Sequence, residues 1–282
     1  MLFRSVRGVF VATQVPDSLR LRVAALRLVT PPHVVVVDRT AAWLHGVDAL
    51  PRSAIHEMPS LDLHSRRESR MRRAGVSSGV RHLGPADTEE MGGILVTTAL
   101  RTACDLGRLL WRYDALAAID GFLRLGVDQD QLILEVDRFK GHRGVVQLRR
   151  LAPLGDPGAE SPPESALRLH WYEADIPAWP RTQIWVHTDD GAPRFRIDVG
   201  DPEVRFGAEY FGEEFHGEDD EASDDDRLSW LRTRRAWVME VFTKVDVYGP
   251  DLAAGDRLRQ GYCTARSTMG LRARTYVDLG RP

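Results

Sequence analysis

One short segment, LGDPGAESPP at residues 154–163, divides the chain into two parts. The segment is rich in proline and glycine, and hydrophobic periodicity resumes only after it. A chain of 282 residues is long enough for one large domain or for two ordinary ones. The segment therefore predicts two domains, which we place at residues 1–153 and 160–270.

The first part has the pattern of mixed α/β structure. Residues 33–37, HVVVV, form an apolar β-branched run that is typical of a buried strand. The next residues, DRTAAWLHG, predict a short helix in which Asp38 is the N-cap and Gly46 ends the helix. Apolar residues at helical spacing predict further helices over 98–110, 113–124 and 128–139.

The second part has an order of elements that constrains its fold. A helix is predicted over 163–174 and a second helix ends near Arg235. Between them, strands are predicted near 181–187, 194–199 and 205–211. An apolar strand at 237–242 and a last helix follow. The order of helix, three strands, helix and strand predicts a central mixed sheet covered by helices, within the α/β class.

Composition excludes several classes of protein. The net charge is −3, so nucleic-acid binding needs a local basic patch and not a global field. Cys104 and Cys263 are the two cysteines, which argues for a reducing compartment and against a disulfide scaffold. The start, MLFRSVRGVF, lacks the apolar core of a signal peptide, and no run is long enough to span a membrane. We therefore expect a cytoplasmic protein with no membrane partner.

Two carboxylates flank a predicted turn in RIDVGDPEVRFGAEYFGEEFH, residues 196–216. With the turn at 201–204, Asp198 lies opposite Gly207, and Glu209 is one diagonal step away on the same face. Two carboxylates this close repel each other unless a cation or a proton intervenes, and Mg²⁺ prefers such oxygens. The alternative is the solvated face of an ordinary hairpin.

Two further side chains are candidates for the same site. Glu164 precedes the hairpin on a helix, and His216 follows it. Glu164 also fits a capping box in which Ser161 is the N-cap, and the two roles are compatible if the helix start faces the sheet. A single histidine such as His216 is more often a structural or surface residue than a ligand.

The densest basic segment is SRRESRMRR at residues 65–73. If it is ordered, its arginines form a phosphate-binding stripe. The alternative is a solvated loop or helix. The candidate nucleic-acid-binding residues are Arg66, Arg67, Arg70, Arg72 and Arg73.

Three phrases of the second part, ESPPESALRL, FRIDVGDPEVRFGAEYFGEEFH and LRTRRAWVMEVF, resemble the very-short-patch-repair (Vsr) endonuclease-like group. That group belongs to the PD-(D/E)XK restriction-endonuclease-like superfamily, and the resemblance covers about residues 155–260. It implies hydrolysis of a phosphodiester with Mg²⁺ or Mn²⁺ held by Asp198 and Glu209. It also implies catalytic roles for Glu164, which would position the metal or water, and for His216, as acid, base or phosphate contact.

The chain departs from this pattern at two places. Phe211 stands where the group commonly has an aspartate and the wider superfamily a lysine. Residues 213–226, EEFHGEDDEASDDD, form a predicted loop that contains nine carboxylates, and such a run repels phosphate. Both departures fit a degenerate nuclease that keeps the fold and has lost much of its chemistry.

The first part resembles the AbiEi-type antitoxin-related proteins common in actinobacteria, through RSVRGVF, VVVVDRTAAWLHGVD and TTALRTACDLGR. The resemblance covers about residues 4–125 and implies kinship with type IV antitoxins, whose winged helix binds DNA. Family members carry a helix-turn-helix before the first strand, whereas this chain begins at that strand. A missing recognition helix and a start codon assigned too late both stay open.

Together these observations predict an antitoxin-like α/β domain joined to a restriction-endonuclease-like domain. The function predicted first is that of a Mg²⁺-dependent DNA endonuclease or a weakened descendant of one. The alternative is a non-catalytic DNA-binding regulator of the type IV antitoxin kind. A third possibility is a protein-interaction module that uses the acidic loop as its contact.

Overall fold

A computed structural model of the chain describes residues 2–6, 9–12, 14–51, 59–66, 70–212, 218–251 and 253–270, with backbone alone for 2–6, 11 and 218–223. The chain divides into two compact units, Met1–Pro157 and Gly158–Pro282. The division falls inside the proline- and glycine-rich segment. Each unit contains a mixed β-sheet, which confirms the α/β class.

The first unit is built on a five-stranded sheet that follows a separate two-stranded hairpin. The hairpin strands are β1, Leu2–Val6, and β2, Val9–Ala12. The sheet strands are β3, Val34–Val36; β4, Leu61–Ser65; β5, Val76–Ser77; β6, Thr88–Met91; and β7, Ile94–Thr97. Their order across the sheet is β5-β4-β3-β7-β6, and β3 is parallel to β7 but antiparallel to β4. The apolar run of β3 is fully buried, as its composition predicts.

The described residues of the first unit form six α-helices. They are α1, Leu19–Arg27; α2, Asp38–His45; α3, Ala99–Leu109; α4, Arg112–Arg124; α5, Gln129–Glu135; and α6, Val145–Leu151. The predicted helices at 98–110 and 113–124 are confirmed as α3 and α4. The prediction over 128–139 corresponds to α5 and a following 3-10 turn, Val136–Phe139. Among the described residues, no helix combines the length and the apolar character that a membrane crossing requires.

The start of α2 differs from the prediction. Val37 is the N-cap, and Asp38 is the first helical residue, with φ of 49°. The Asp38 carboxylate accepts two hydrogen bonds from Arg81, at 2.6 and 2.8 Å, and does not cap the helix. A positive φ is strained for a residue other than glycine, and this ion pair offsets part of that strain. Gly46 ends the helix in the left-handed region, as predicted.

A network of buried ion pairs is centred on Asp105 of α3. Its side chain has 0% exposure. Three guanidinium groups donate to it, from Arg81 at 3.0 Å, Arg101 at 2.9 Å and Arg108 at 2.7 Å. These three donors replace the hydration that burial removes from the carboxylate.

Asp87 extends this network. Arg101 and Arg138 form ion pairs with its two oxygens at 3.1 and 2.9 Å, and the backbone N–H of Gly84 donates to it at 2.7 Å. Burial by itself would raise the pKa of Asp87, but these donors outweigh it and hold the pKa below its ordinary value. The carboxylate is therefore ionised and fully paired.

The second unit has the element order that its sequence predicts. Its elements are α7, Pro162–Glu173; β8, Arg181–His187; β9, Pro193–Asp201; β10, Phe206–Tyr210; α8, Glu218–Arg234; β11, Val238–Phe242; α9, Lys244–Tyr248; and α10, Ala254–Thr268. The order across the sheet is β11-β10-β9-β8. β8, β9 and β10 are antiparallel, and β10 is parallel to β11. The predicted acidic loop is in part helical, because residues 218–226 belong to α8.

Helices cover both faces of this sheet. On one face, the rings of Trp171 from α7 and Tyr262 from α10 pack on Phe206 of β10. On the other face, α8 contributes to an apolar cluster with a partly buried Phe211 at its edge. The buried members of this cluster are Val186, Ile197, Leu228, Leu231, Trp237 and Met239.

The hairpin of β9 and β10 has a register two residues away from the predicted one. Gly207 lies opposite Gly200 and not opposite Asp198. A side chain at Gly200 would place its Cβ 2.4 Å from the Phe206 carbonyl oxygen, so the two strands approach closely here. The paired residues end at Ala208 and Val199, which directly precede Glu209 and follow Asp198.

Candidate functional site

The structure brings together three of the predicted site residues. Asp198 lies on β9 and Glu209 lies on β10, on neighbouring strands of the sheet. The backbone N–H of Tyr210 donates to Asp198 Oδ2 at 3.1 Å, which ties this carboxylate to the strand that carries Glu209. Glu164 lies in the first turn of α7, close enough for its charge to act on Asp198.

Both strand carboxylates are held in surroundings that disfavour ionisation. Burial raises the pKa of Asp198 to about 6, with a further rise from the negative charge of Glu164. Burial also raises the pKa of Glu209 to about 7; the Arg227 guanidinium lowers it and the Asp198 carboxylate raises it. Near neutral pH, the two carboxyl groups are therefore protonated in a fraction of the molecules. This behaviour is typical of neighbouring carboxylates in functional sites.

Arg227 of α8 is the one cation that hydrogen-bonds to this pair in the described part of the chain. Its Nη2 donates to Glu209 Oε1 at 2.5 Å and to the Arg196 carbonyl at 3.1 Å. Glu209 is 1% exposed, and its other oxygen, Oε2, has no hydrogen-bond partner among the described residues. One oxygen of this carboxylate is thus paired, and the other is buried without a partner.

Glu164 is occupied by the start of its own helix. Its Oε1 accepts from Ser161 Oγ at 2.7 Å, and its Oε2 accepts from the Glu160 backbone N–H at 3.0 Å. Ser161 is the N-cap of α7, which confirms the predicted cap. Gln183 of β8 adds a third donor, from Nε2 to Glu164 Oε2 at 2.8 Å. Capping and proximity to the carboxylate pair therefore coexist, and Glu164 is fully hydrogen-bonded.

The structure does not describe all of the remaining predicted residues. His216 lies outside the described residues, and so does Arg67. Phe211 follows β10 and packs against the apolar cluster under α8. In the first unit, the side chains of the other predicted arginines are exposed; these are Arg66, Arg70, Arg72 and Arg73.

Two residues of the cluster were not predicted from the sequence. Gln183 has φ of 52°, a strained conformation that places its amide against Glu164. Arg227 is separated from Glu209 by 18 residues, and a spacing pattern cannot reveal such a pair. The available signal was its position directly after the carboxylate-rich run that ends at Asp226.

The residues as arranged do not fit a bound divalent cation. Asp198 and Glu209 supply oxygens of the kind that Mg²⁺ or Mn²⁺ prefers. However, a guanidinium already holds Glu209 Oε1. Among the described residues, no group of three or more histidine, cysteine, aspartate or glutamate side chains has the arrangement of a metal site. In this arrangement, the Arg227 guanidinium takes the place that a metal ion would need beside Asp198 and Glu209.

Comparison with known proteins found a family match within the first unit and two relatives whose alignment is longer than that unit. Residues 34–154 match the family described as AbiEi antitoxin C-terminal domain. Two proteins of Mycobacterium tuberculosis, "Uncharacterized protein MT2308" of strain CDC 1551 / Oshkosh and "Uncharacterized protein Rv2248" of strain ATCC 25618 / H37Rv, are each 34% identical over 211 residues. That alignment covers 74% of this chain and 73% of each relative. The chain belongs to the family of these mycobacterial proteins. No solved structure matches it.

The AbiEi-matched region, residues 34–154, begins at β3 and ends after α6. It therefore contains the whole five-stranded sheet and the Asp105 network. This part of the predicted resemblance is confirmed. The match ends before α7, so it does not bear on the resemblance of residues 155–260 to the Vsr-like nucleases.

Proposed function

We propose that this protein is a DNA-binding regulator of the type IV antitoxin kind. The observation that carries the proposal is the match of residues 34–154 to the AbiEi antitoxin C-terminal domain. A family described as an antitoxin domain supports a regulatory role over a purely enzymatic one. The proposal requires a surface that meets phosphate, because phosphate contacts supply most of the affinity of such proteins for DNA.

The best candidate for that surface is the arginine segment between β4 and β5. Its described arginines are exposed. Guanidinium groups suit phosphate because they present several donors in a fixed plane. The segment lies inside the AbiEi-matched region, so the proposed contact and the family match coincide.

The test is a binding titration with the full chain and a labelled duplex from the region upstream of its own gene. We expect Arg70→Ala/Arg72→Ala to weaken binding about tenfold or more at low salt, and to reduce the salt dependence by about two released counterions. Arg149→Ala/Arg150→Ala is the matched control, since these two arginines are also exposed and lie on α6 of the same unit. Equal loss in both double variants, or no binding by the wild type at about 50 mM salt, would overturn the proposal.

Hydrolysis of phosphodiesters is the second candidate function. One observation favours it, the Asp198–Glu209 pair on adjacent strands, at the two positions where the resemblance to the nuclease group implies metal ligands. The proposed division places the Vsr-like domain at residues 160–270. Hydrolysis requires a rearrangement that frees Glu209 from Arg227, since the pair does not fit a metal as it stands.

The second candidate is tested by cleavage of plasmid and single-stranded DNA in Mg²⁺ or Mn²⁺. Asp198→Ala and Glu209→Ala should each abolish cleavage without unfolding the chain. Cleavage that survives both substitutions, or no cleavage by the wild type, would remove this function and leave the regulator. His216→Ala, whose site lies outside the described residues, tests the predicted role of that histidine in the same assay.

A further inference from the structure

A basic cluster lies at the end of α8, around the ring of Trp230. The Arg194 guanidinium of β9 lies over this ring at 4.8 Å from its centroid, and the Arg235 guanidinium lies at 4.9 Å. Arg205 joins them, because its Nη1 donates to the Arg235 carbonyl at 3.3 Å. Arg234 follows Trp230 by four residues on α8, and residues at this spacing are neighbours on a helix surface. We refer to these four arginines and Trp230 as the Trp230 cluster.

The Trp230 cluster holds more positive charge than its described carboxylate partner neutralises. Arg235 Nη1 pairs with Asp189 Oδ1 at 2.6 Å, and the Asp189 side chain is 97% exposed. Among the described residues, Arg194, Arg205 and Arg234 form no ion pair. Four guanidinium groups thus share one exposed carboxylate. Because the whole chain has a net charge of −3, nucleic-acid binding requires a local positive surface, and this cluster is one.

Arg194 is held in place without the use of its N–H groups. Its guanidinium stacks on the ring of Trp230 and on that of Phe195, 5.2 Å from the second centroid. Contact with an aromatic face takes no hydrogen-bond donor. Arg196 on the same strand also lies over a tryptophan ring, but it donates two hydrogen bonds to Glu160 at 2.9 and 2.7 Å. A guanidinium that keeps its donors and has its plane fixed suits two oxygens of a phosphate.

The end of the helix by itself does not account for the cluster. Cations are favoured at a helix C-terminus, and this effect explains Arg234 at the last position of α8. It does not explain Arg194 or Arg205, which come from β9 and from the turn before β10. The opposite end of α8, residues 218–226, is rich in carboxylates, and a helix of 17 residues is about 25 Å long. A polyanion is therefore attracted to one end of α8 and repelled by the other.

We propose that the Trp230 cluster binds phosphates of the DNA backbone. The ligand is the phosphodiester backbone of duplex DNA, without preference for base sequence, because contacts to phosphate position a protein and do not read bases. Phosphate oxygens supply the acceptors and the negative charge that the cluster lacks among its described neighbours. The inference rests on the proposed regulator function, to which it adds a phosphate-binding surface on the second unit.

The experiment is a titration of the full chain with a labelled duplex of mixed sequence at several salt concentrations. We expect Arg194→Gln/Arg234→Gln to weaken binding about tenfold at about 50 mM salt, and to reduce the salt dependence by about two released counterions. Arg181→Gln/Arg259→Gln is the matched control, since it removes the same charge from two exposed arginines of β8 and α10. The control should weaken binding less than about twofold, because exposed charges away from the contact are screened.

Arg194→Lys separates the shape of the guanidinium from its charge. It keeps the charge but lacks the plane and the fork, so it should bind with an affinity between those of the wild type and the double variant. Circular dichroism verifies that each variant is folded. Equal affinity in the wild type and Arg194→Gln/Arg234→Gln overturns the inference. Equal loss in Arg181→Gln/Arg259→Gln also overturns it, since total charge would then explain the effect.

The mixed-sequence duplex also separates this inference from the proposed function. Loss of binding in Arg194→Gln/Arg234→Gln, with no effect of Arg70→Ala/Arg72→Ala, would support the Trp230 cluster and remove the segment between β4 and β5 as a contact. Loss in Arg70→Ala/Arg72→Ala alone would remove the Trp230 cluster and leave the proposed function. Binding of the wild type to vesicles that contain anionic phospholipid, but not to the duplex, would overturn DNA as the ligand.

Discussion

Asp87 of the first unit and Glu209 of the second are both buried, with 2% and 1% of their surfaces exposed. Asp87 forms ion pairs with two guanidinium groups and accepts from a backbone N–H, and its pKa lies below the ordinary value. Glu209 accepts from one guanidinium, its second oxygen has no described partner, and burial raises its pKa to about 7. Both side chains are almost fully covered, but Glu209 lies deeper among protein atoms and has fewer donors, and both differences raise its pKa relative to that of Asp87.

The comparison shows that burial by itself does not mark a functional carboxylate. The carboxylates of the Asp105 network are saturated with donors, so they hold the first unit together and leave nothing for a ligand. The Asp198–Glu209 pair is short of donors and so stores unfavourable free energy in the folded protein. Removing a charge should therefore destabilise the chain at the Asp105 network and stabilise it at the Asp198–Glu209 pair.

The largest expected effect is that of Asp105→Asn. This change leaves three buried guanidinium groups without their shared anion, and breaking a buried pair from one side costs about 3–5 kcal/mol. Urea unfolding followed by circular dichroism measures the loss. Asp256→Asn is the control, because the exposed pair of Asp256 with Arg259 contributes little. A loss below about 1 kcal/mol in Asp105→Asn would contradict the assigned role of this network.

Glu209→Gln and Asp87→Asn give the sharpest contrast, since they should change stability in opposite directions at pH 8. The pKa of Glu209 is raised on folding, so its stability contribution is full below the ordinary value of 4.5 and is lost as the pH rises through about 7. Glu209→Gln should therefore stabilise the chain at pH 8 by about 1–3 kcal/mol and have little effect near pH 4.5.

Asp87→Asn should instead destabilise the chain at pH 8. The pKa of Asp87 is lowered on folding, so its contribution is present above the ordinary value of 3.8 and is lost as the pH falls through the lower folded value. Urea titrations of both variants at pH 4.5 and pH 8 measure the two effects. The same sign at pH 8 for both variants would contradict the assigned difference between the two carboxylates.

Substitutions of Asp198 and Asp62 test what decides the sign of the stability change at pH 8. It depends either on the unit in which the carboxylate lies or on the number of its hydrogen-bond donors. Burial raises the pKa of each to about 6, although Asp62 lies in the first unit. If donors decide, Asp198→Asn and Asp62→Asn should each stabilise the chain at pH 8, by about 1 kcal/mol, with the gain fading as the pH falls below 5. Thermal unfolding at several pH values measures this. A gain in Asp198→Asn alone would show that the units matter.

Ser161→Ala should have the smallest effect, a loss of about 1 kcal/mol. The change removes the N-cap of α7 and one hydrogen-bond donor to Glu164. Glu164 then has fewer donors, as Glu209 does. Ser229→Ala is the control, since Ser229 is exposed within α8. Equal unfolding midpoints for the two variants would show that the cap is not a stabilising contact.

The sequence predicted most of the local structure because local structure depends on nearby residues. The structure confirms Gly46 as the end of α2, Ser161 as the N-cap of α7 and the element order of the second unit. The turn between β9 and β10 was misplaced by one residue. Asp201 continues β9 because its carboxylate accepts from Glu203 N–H and from the Tyr262 hydroxyl of α10, a contact that no local pattern contains.

The candidate site was predicted in its carboxylates and not in their partners. Asp198 and Glu209 were found because strand alternation places side chains on a common face. Glu209 is paired with Arg227, which lies 18 residues away along the chain. In the first unit, Asp38 is likewise paired with Arg81, which lies 43 residues away. Whether a carboxylate is saturated depends on such distant donors, and spacing carries no record of them.

At residue 211, a change to phenylalanine and a change away from it have different costs. Its ring packs against the apolar cluster under α8, so a charged side chain at 211 would lose that packing and enter apolar surroundings. A change from a charged residue to phenylalanine adds core contacts, whereas the reverse change must be preceded by adjustments in the neighbouring side chains. Residue 211 is thus an entrenched position, at which single mutations lead toward the present residue more readily than away from it.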